Sequence, residues 1–511
     1  MADIKELAAG GLRAVLSSLE YARETSGLKR SVRALSLLNQ DQGFDCPSCA
    51  WPDPAPRERS VVEFCENGAR AVAHEADRRT IGAGFFAERS LAELSALSDY
   101  ELEQSGRLAE PLFREAGSEH YRPIGYEQAF ELAGTALARL DSPDRAVFYT
   151  SGRASNEAAF LYQLLARSLG TNNLPDCSNL CHESSGKGLG STIGIGKGTV
   201  TLADFRLADC IFVIGQNPGT NHPRMLSTLA EARARGATIV SINPLRELGL
   251  VSFAHPQTAR GLLGVGEPIS TEYVQVRING DVALLKGVMK ELLRLEAEHG
   301  NVLDRAFIAE HTSGFEAFRD ALEGASLEDC AEESGVPVET IARLAEIYRQ
   351  SQRVIVCWAM GLTQHKNGVA NVREIVNLLL LRGNLGRPGA GACPVRGHSN
   401  VQGDRTVGIY ESPTEAFLAR LDRATGIRSP RRHGVDAVGS VLAMERGEVD
   451  VFLALGGNFV AAMSDSRRTA QALRKVKLAV HIATKLNRTH LEAGQGSLIL
   501  PCLGRTERDV R

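Results

Sequence analysis

The sequence of 511 residues has no marked excess of either charge, since 58 Lys and Arg residues stand against 61 Asp and Glu residues. This balance argues against the strongly basic class of nucleic-acid-binding proteins, and we expect no nucleic-acid partner. No apolar run approaches the roughly 20 residues of a membrane span, so we expect no membrane insertion. Residues 1–30 contain neither the apolar core nor the twin-arginine start of an export signal, which leads us to expect a cytoplasmic protein.

Nucleotide-loop fingerprints are also missing. The glycine-rich run between Gly186 and Gly198 has the composition of a phosphate loop, but its spacing is wrong. A P-loop needs a glycine five positions before the Gly of its Gly-Lys pair, and counting back from Gly196 gives Ser191. The same Ser191 occupies the third glycine position of the dinucleotide fingerprint. With no flavin or nicotinamide motif, the electron acceptor stays open.

Ten cysteines are too sparse for a disulfide framework in a chain of this length, and their clustering favours metal binding. Cys46 and Cys49 form a CxxC pair, and Cys65 follows 16 positions after Cys49. Zinc would need four ligands, and no second CxxC or His pair lies nearby, so an iron-sulfur cluster fits better. Asp53 is the candidate for a fourth ligand, and a purely structural CxxC is the alternative.

A second cluster joins a thiol to a neighbouring imidazole in the segment DCSNLCH, residues 176–182. Cys181 can bind a soft, redox-active metal, and His182 can exchange a proton near neutral pH. Locally, the pair could equally be a small buried cysteine beside a structural histidine. The surrounding sequence leads us to interpret it as the catalytic centre.

The fold class follows from an alternation of predicted strands and helices that begins near residue 120. Residues 145–150 (RAVFYT) are typical of a buried strand, and residues 156–169 of an amphipathic helix. This alternation predicts an α/β protein, and the length suggests roughly three or four domains. Residues 1–40 are expected to form a polar helical extension.

Two parts of the sequence look like copies of one another. A strand ending in the turn Gly215-x-Asn217 is followed by a second strand that ends at Asn243, 26 positions after Asn217. A strand ending at Asn458 is likewise followed by one that ends near Thr484, again 26 positions later. This spacing predicts a duplicated half-Rossmann unit with two nucleotide sites beyond the carboxyl ends of the strands. Alternatively, such turns occur independently in many α/β proteins.

Between these copies lies a segment rich in glycine and proline, RGNLGRPGAG at 382–391 followed by PVRGHSNVQG at 394–403. Its small residues allow close backbone approach, and Arg396 adds a fixed positive charge. We interpret the segment as a floor for an anion. An ordinary surface loop with a solvated arginine is the alternative.

Together, four motifs carry a family resemblance: NLCH at 179–182, GQNPGTNHP at 215–223, RGNLGRPGAG and PVRGHSNVQG. From about Cys46 to its end, the sequence resembles the molybdopterin oxidoreductase (DMSO reductase) family, most closely the formate dehydrogenase-like alpha subunits of the YdeP type. The resemblance implies an α/β protein with two Rossmann-like parallel-sheet domains related by pseudo-duplication and a small N-terminal cluster domain.

The domain boundaries that we predict on this basis are a helical extension at 1–40 and an iron-sulfur domain at 41–110. The first dinucleotide-binding α/β domain is expected to be discontinuous, with residues 111–176 and 400–511, and the second to span 177–399. The family also has a C-terminal β-barrel that caps both dinucleotides, and we expect this chain to be truncated before it.

The cofactors implied are Mo-bis(molybdopterin guanine dinucleotide) and a [4Fe-4S] cluster with ligands Cys46, Cys49 and Cys65. By resemblance, Cys181 is the protein ligand of molybdenum, and His182 is the histidine that handles the proton. Arg396 matches the arginine that holds an anionic substrate such as formate. The positions that match cofactor-binding residues are Gly215, Asn217, His222, Asn243, Gly397, Gly456, Asn458, Thr484 and Lys485.

The implied function is the two-electron oxidation of formate or a similar small anion, with electrons leaving through the cluster to a partner protein. Two departures stand out. Asp53 replaces the third cysteine of the family's CxxCxxxC motif, and the lysine that follows the last cluster cysteine is missing, Arg70 being the nearest cation. A non-catalytic or redox-sensing homologue that binds cofactor without turnover is therefore the alternative. A zinc scaffold is more distant, because it would leave the glycine-rich turns without a purpose.

Overall fold

The structure is a computed structural model, and it describes residues 8–510. The chain forms two units. The first comprises Met1–Leu19, Cys49–Asn67 and Cys181–Gly397, and the second comprises Glu20–Ser48, Gly68–Leu180 and His398–Arg511. Each unit contains its own main sheet. The four-part division expected from the sequence stays a prediction.

The strands of residues 8–510 are numbered in chain order: β1 (Ala9–Gly10), β2 (Thr80–Ile81), β3 (Arg107–Leu108), β4 (Leu112–Arg114), β5 (Arg122–Pro123), β6 (Ala146–Thr150), β7 (Cys210–Ile214), β8 (Thr238–Ile242), β9 (Ser252–Ala254), β10 (Glu267–Pro268), β11 (Glu272–Val274), β12 (Val354–Trp358), β13 (Gly391–Pro394), β14 (Val451–Leu455), β15 (Leu478–Ala483) and β16 (Gly496–Pro501).

The α-helices of the same residues are Gly11–Ser26, Leu28–Leu37, Glu66–Glu75, Ala83–Ala87, Leu91–Ala96, Asp99–Gln104, Tyr126–Ala138, Asn156–Leu169, Ser178–Cys181, Glu183–Ile193, Pro218–Asn221, Pro223–Ala234, Leu248–Val251, Ala259–Leu262, Asp281–His299, Arg305–His311, Phe315–Glu323, Leu327–Ser334, Val338–Gln350, Met360–Thr363, Gly368–Leu381, Val401–Thr406, Glu415–Thr425, Ala437–Glu445, Phe459–Ala462, Ser466–Leu473 and Arg488–Leu491.

The first unit is built on a parallel sheet with strand order β11-β8-β7-β12-β13. Its central strand β7 reads CIFVI and is buried throughout, as expected for a parallel strand covered on both faces. Alternate side chains serve different cores: Phe212 packs with residues of the helices Asp281–His299 and Val338–Gln350, and Val213 packs with residues of Pro223–Ala234. The carboxyl ends of β7, β12 and β13 are thereby fixed side by side.

The second unit has a sheet with strand order β5-β4-β16-β15-β14-β6. The strands β6, β14, β15 and β16 are parallel, while β4 and β5 pair antiparallel at one edge. Here too the side chains of the buried strand β14 pack into two hydrophobic cores, Phe452 into the core on one face of the sheet and Leu453 into the core on the other. The α/β class with parallel sheets is therefore confirmed.

The duplicated strand pairs occur in both sheets with the same geometry. In each unit the strand before the Gly-x-Asn turn pairs in parallel with the next predicted strand, β7 with β8 and β14 with β15. The Gly215 N–H donates to the carbonyl of Ile242 at 2.9 Å, and the Gly456 N–H donates to that of Ile482 at 2.8 Å. Each turn is thus tied to the end of the neighbouring strand by an equivalent bond.

Local signals correctly predicted the helix that follows β6 in the second unit. Helix Asn156–Leu169 has the predicted bounds, because the Ser155 hydroxyl accepts from the Ala158 N–H and Gly170 ends the helix at φ 102°. Within the expected extension at 1–40, the helices are Gly11–Ser26 and Leu28–Leu37, and residues 1–7 lie outside the described residues. Among the helices of residues 8–510, none combines the length and the apolarity that crossing a membrane requires.

Candidate active site

Cys181 lies where the helix Ser178–Cys181 ends, and its side chain is 6% exposed. Its backbone carbonyl accepts a hydrogen bond from the Thr363 hydroxyl at 2.6 Å. The carbonyl of Thr363 in turn accepts from the Ser184 hydroxyl at 2.9 Å. These two bonds fix the backbone that carries the thiol against the segment that follows β12.

His182 is buried, and both of its ring nitrogens have hydrogen-bond partners. Its Nε2 lies 3.0 Å from the carbonyl oxygen of Val395, which can only accept, so Nε2 must carry the proton. Its Nδ1 lies 2.8 Å from the Ser185 hydroxyl and accepts from it. Burial, reinforced by the charge of Arg396, lowers the pKa of His182 to about 3. The imidazole is therefore neutral at pH 7.

Arg396 follows Val395 directly, and a second histidine holds its backbone. The His222 Nε2 donates to the carbonyl of Arg396 at 2.8 Å, and burial lowers the pKa of His222. The Arg396 guanidinium donates to the carbonyl of Gly196 at 3.0 Å, and the side chain is 7% exposed. Two neutral imidazoles thus hold two consecutive carbonyls, and a buried positive charge lies next to them.

Gly397 brings this loop next to the thiol. A Cβ atom at Gly397 would lie 3.9 Å from the Cys181 sulfur and 3.9 Å from the Met360 methyl group, which are ordinary contact distances. The structure therefore brings together the predicted site residues Cys181, His182, His222, Arg396 and Gly397. The glycine-rich run of 186–198 contributes the helix Glu183–Ile193 and the carbonyl of Gly196, in agreement with its failed phosphate-loop spacing.

The turn after β7 is tightly packed. Gly215 has φ 58°, and a Cβ atom there would lie 2.5 Å from the Leu362 side chain and 2.9 Å from the Gly361 backbone. The side-chain oxygen of Asn217 caps the helix Pro218–Asn221. The side-chain amide of Asn243 donates to the backbone carbonyl of Gln216 at 2.7 Å. The predicted residues of this turn therefore hold its shape.

Replacing Gly215 by Ala should destabilise the protein far more than replacing Gly386, which also has positive φ. Both changes force an L residue into the left-handed region, at about 1–2 kcal/mol. A Cβ at Gly386 meets no atom within 4 Å, whereas one at Gly215 overlaps its neighbours and adds about 1–3 kcal/mol. Chemical denaturation of the two variants measures the difference, and equal losses would contradict this packing argument.

Gln216 is a residue that the sequence reasoning missed. It is 2% exposed, and its side-chain Oε1 has no hydrogen-bond partner. Its Nε2 lies 3.1 Å from the Met225 sulfur and 3.5 Å from the His222 Nδ1. A buried acceptor without a donor is costly, so the site is suited to a bound group that supplies an N–H or O–H. Its position inside the motif GQNPGTNHP was the available signal.

The second unit presents its own turn at the predicted place, after β14. Gly456 and Gly457 have φ 69° and 81°, and the Asn458 side chain accepts from the Thr489 hydroxyl at 2.8 Å. Thr484 accepts at its carbonyl from the Leu108 N–H at 3.0 Å. The Lys485 ammonium donates to the Asp77 carboxylate at 2.9 Å, and it is 9% exposed. The predicted cofactor role of Lys485 stays a prediction. In this structure the ammonium group forms an ion pair with the Asp77 carboxylate.

Two buried histidines with adjacent, mutually tilted rings in the second unit predict acid sensitivity. His481 and His490 are buried with ring centroids 4.8 Å apart, and burial lowers the pKa of His490 to about 3 and that of His481 well below its ordinary value. Below pH 6.5 the unfolded chain binds protons that the folded chain does not. The free energy of unfolding therefore decreases as the pH is lowered. At pH 5 His490 costs about 2 kcal/mol relative to pH 7, and the lowered pKa of His481 acts in the same direction.

Thermal unfolding at pH 7 and pH 5 tests this expectation. Between pH 7 and pH 5, His481→Leu should lose less stability than the unmodified protein, because one group with a lowered pKa is gone. His433→Gln removes an exposed histidine and serves as the control. An unaltered pH dependence in His481→Leu would show that the imidazole is charged in the folded protein.

The N-terminal thiols divide between the units, with Cys49 and Cys65 in the first and Cys46 in the second. Burial raises the pKa of the Cys49 thiol. The Asp53 carboxylate accepts from the Arg224 guanidinium at 2.6 Å. Within residues 8–510, no three His, Cys, Asp or Glu side chains are arranged to hold a metal ion. The cluster ligands stay a prediction.

The two arginines of the loop 382–391 have a different role from Arg396. The Arg382 guanidinium donates to the carbonyls of Tyr348, Arg349 and Ser351 at the end of the helix Val338–Gln350. Arg387 donates to the Asn384 side chain at 2.8 Å. Arg382 therefore closes a helix end and Arg387 is bonded to its own loop, so the interpretation as an anion floor rests on Arg396.

A family model described as molybdopterin oxidoreductase matches residues 107–509. The chain belongs to the molybdopterin oxidoreductase family. The resemblance inferred from the motifs, to the DMSO reductase family with formate dehydrogenase-like members, is thereby confirmed. Membership of this family implies a molybdenum-pterin cofactor.

Relatives in this family cover nearly the whole chain. The "Uncharacterized oxidoreductase Rv2900c" of Mycobacterium tuberculosis is 55% identical over 504 residues, which is 98% of this chain and 65% of that protein. "Protein YdeP" of Escherichia coli is 47% identical over 510 residues, 99% of this chain and 67% of that protein. The chain thus spans about two thirds of the length of these curated relatives.

More distant family members include the "F420-dependent formate dehydrogenase 1 subunit alpha" of Methanococcus maripaludis, 28% identical over 79% of this chain and 56% of that protein. Among solved structures, the acetylene hydratase of Pelobacter acetylenicus superposes with a TM-score of 0.59 at 17% identity, covering 76% of this chain and 55% of that one. At this identity the likeness shows the fold, and it supports the molybdopterin oxidoreductase fold expected from the sequence.

Proposed function

We propose that this family member is a molybdenum-dependent oxidoreductase that performs a formate dehydrogenase-like, two-electron oxidation of a small anionic substrate. The observation that carries the proposal is the closeness of a buried thiol, Cys181, to Gly397, which directly follows the buried Arg396 in the chain. The name of the Methanococcus relative, a formate dehydrogenase subunit, supports formate as the first substrate to test.

The residues present fit a molybdenum-pterin cofactor. A thiolate of Cys181 suits a soft, redox-active metal, and the unpartnered Oε1 of Gln216 suits a pterin, which is rich in N–H donors. We propose the guanine dinucleotide form, with two copies. Residues Gly215, Asn217, His222, Asn243 and Gly397 would hold one copy, and Gly456, Asn458, Thr484 and Lys485 the other. When bound, this cofactor supplies a two-electron acceptor.

The chain's own side chains have distinct tasks in this proposal. Arg396 pairs with the substrate carboxylate, because a guanidinium stays charged and matches a carboxylate with two parallel N–H bonds. His182 handles the substrate proton. Nε2 already carries the proton that binds the carbonyl of Val395, and the lone pair of Nδ1 accepts from the Ser185 hydroxyl, so the ring can take up the substrate proton at Nδ1 only when this hydroxyl bond opens.

For the iron-sulfur cluster we propose Cys46, Cys49 and Cys65 as ligands, on the donor type alone. The fit is incomplete, because the carboxylate of Asp53 is bonded to Arg224 and leaves three thiols. We therefore assign no step to the cluster. We also propose a cytoplasmic location and an electron-transfer partner protein, and both rest on the sequence alone.

The Asp53–Arg224 pair is the observation that favours the second candidate, a non-catalytic or redox-sensing homologue that binds cofactor without turnover. Elemental analysis of the whole protein, purified without oxygen, separates the two, together with dye-linked oxidation of formate and other small anions. Close to one molybdenum and about four irons with substrate-dependent dye reduction would support the oxidoreductase. Metal without turnover of any anion would favour the second candidate, and absence of molybdenum would overturn the first.

A further inference from the structure

Two buried polar side chains beside the candidate active site, Ser185 and Trp358, have no role in the chemistry proposed above. Both are 0% exposed. Ser185 belongs to the helix Glu183–Ile193, and Trp358 is the last residue of β12. Burial removes the water bonds of a hydroxyl and an indole N–H, so each must find a protein partner.

Those partners form a closed ring of hydrogen bonds. The indole N–H of Trp358 donates to the Ser185 hydroxyl oxygen at 2.9 Å, and this hydroxyl donates to the His182 Nδ1 at 2.8 Å. The His182 Nε2 donates to the Val395 carbonyl at 3.0 Å. The ring closes where the Val395 N–H donates to the backbone carbonyl of Trp358 at 2.8 Å.

The direction of every bond in this ring is determined by chemistry. An indole nitrogen can only donate, so the Ser185 oxygen accepts and its own proton is left for His182. A carbonyl can only accept, so the Val395 oxygen requires the proton on Nε2 of the imidazole. The other tautomer would turn a nitrogen lone pair toward that carbonyl oxygen and leave both without a proton between them.

We propose that Ser185 and Trp358 are positioning residues, which select the Nε2-protonated tautomer of His182 and through it hold the Val395 carbonyl next to Arg396. The ring stands on geometry alone. Only its importance for the reaction rests on the proposed function, because Val395 and Arg396 carry the anion-binding side of the proposed site.

Nuclear magnetic resonance of the full chain without added metal tests the ring directly. The sequence has two tryptophans, so two indole N–H signals are expected, and Trp51 provides an internal reference. In the unmodified protein the Trp358 indole proton should exchange slowly with solvent, and nitrogen-15 shifts should report His182 protonated at Nε2. In Ser185→Ala the Trp358 signal should move and its exchange should become at least about tenfold faster, because its acceptor is gone.

Two further variants separate the ring from general packing. Ser185→Thr keeps the hydroxyl and should restore slow exchange. Ser191→Ala makes the same change at an exposed serine of the same helix, and it should leave the Trp358 and His182 signals unaltered. The His182 signal is assigned by its absence in His182→Gln.

An unmodified protein with His182 protonated at Nδ1 would overturn the proposal, and this measurement does not depend on whether Ser185→Ala folds. An unchanged Trp358 signal in a folded Ser185→Ala variant would overturn it as well. If the ring is confirmed while the metal-loaded protein oxidises no anion, the positioning of His182 stands and the proposed oxidoreductase function is the part that fails.

Discussion

Replacing Cys181 by Ala is expected to abolish molybdenum-dependent oxidation, because the proposed metal ligand is lost while the fold is kept. A thiolate is a strong ligand of soft metals, and an Ala side chain offers no donor atom. The residue is 6% exposed, so removing one sulfur leaves only a small internal space. In a dye-linked assay with formate, we expect the activity of Cys181→Ala to fall below detection.

Cys330 offers a matched control, because its side chain is also 6% exposed and it lies in the helix Leu327–Ser334 of the first unit. Cys330→Ala makes the same chemical change outside the candidate site, so its oxidation rate should be retained. Retained activity in Cys181→Ala would contradict the role of metal ligand. Equal losses in both variants would trace the effect to folding.

Replacing Arg396 by Gln should reduce kcat/KM for an anionic substrate, chiefly through a higher KM. The side chain is 7% exposed, so its charge acts where water screens it poorly. Removing one partner of a buried, hydrogen-bonded charge pair costs about 2–5 kcal/mol, which corresponds to a loss of roughly 30-fold to 4,000-fold. Arg396→Lys keeps the charge without the bidentate geometry and should recover part of this loss.

Arg373 provides the control for charge in general. It is exposed, lies in the same unit and donates to the Ser191 hydroxyl at 3.1 Å. Arg373→Gln should leave the steady-state constants unchanged. A KM that is equally unchanged in Arg396→Gln would show that the substrate anion is bound elsewhere, and the assignment of Arg396 would be wrong.

The fold was largely predictable because its signals are local. The strand CIFVI is apolar throughout, which is what burial on both faces of a parallel sheet requires. The helix Asn156–Leu169 was placed with the correct bounds because Ser155 and Gly170 mark its ends. The equal spacing of 26 positions marked the repeated strand pairs, since connection length is preserved when the same unit is built twice.

The functional surroundings were less predictable because they depend on contacts between distant parts of the chain. His182 and Val395 are 213 positions apart, and Lys485 and Asp77 are 408 positions apart. No local pattern could show that Lys485 is bonded to a carboxylate, or that Ser185, directly before a glycine-rich run, donates to a histidine and accepts from an indole. The thiol and the guanidinium could be proposed from the sequence because they lie in short motifs whose neighbouring residues are informative.

The two histidine bonds to Val395 and Arg396 have a consequence for anion selection. A peptide plane that is held at its carbonyl oxygen cannot rotate, so the backbone cannot advance or withdraw the guanidinium to suit anions of different length. The reach of Arg396 is then set by the length of its side chain alone. If Arg396 binds the substrate as proposed, discrimination between a one-carbon anion and a longer homologue would depend on the rigidity of the main chain.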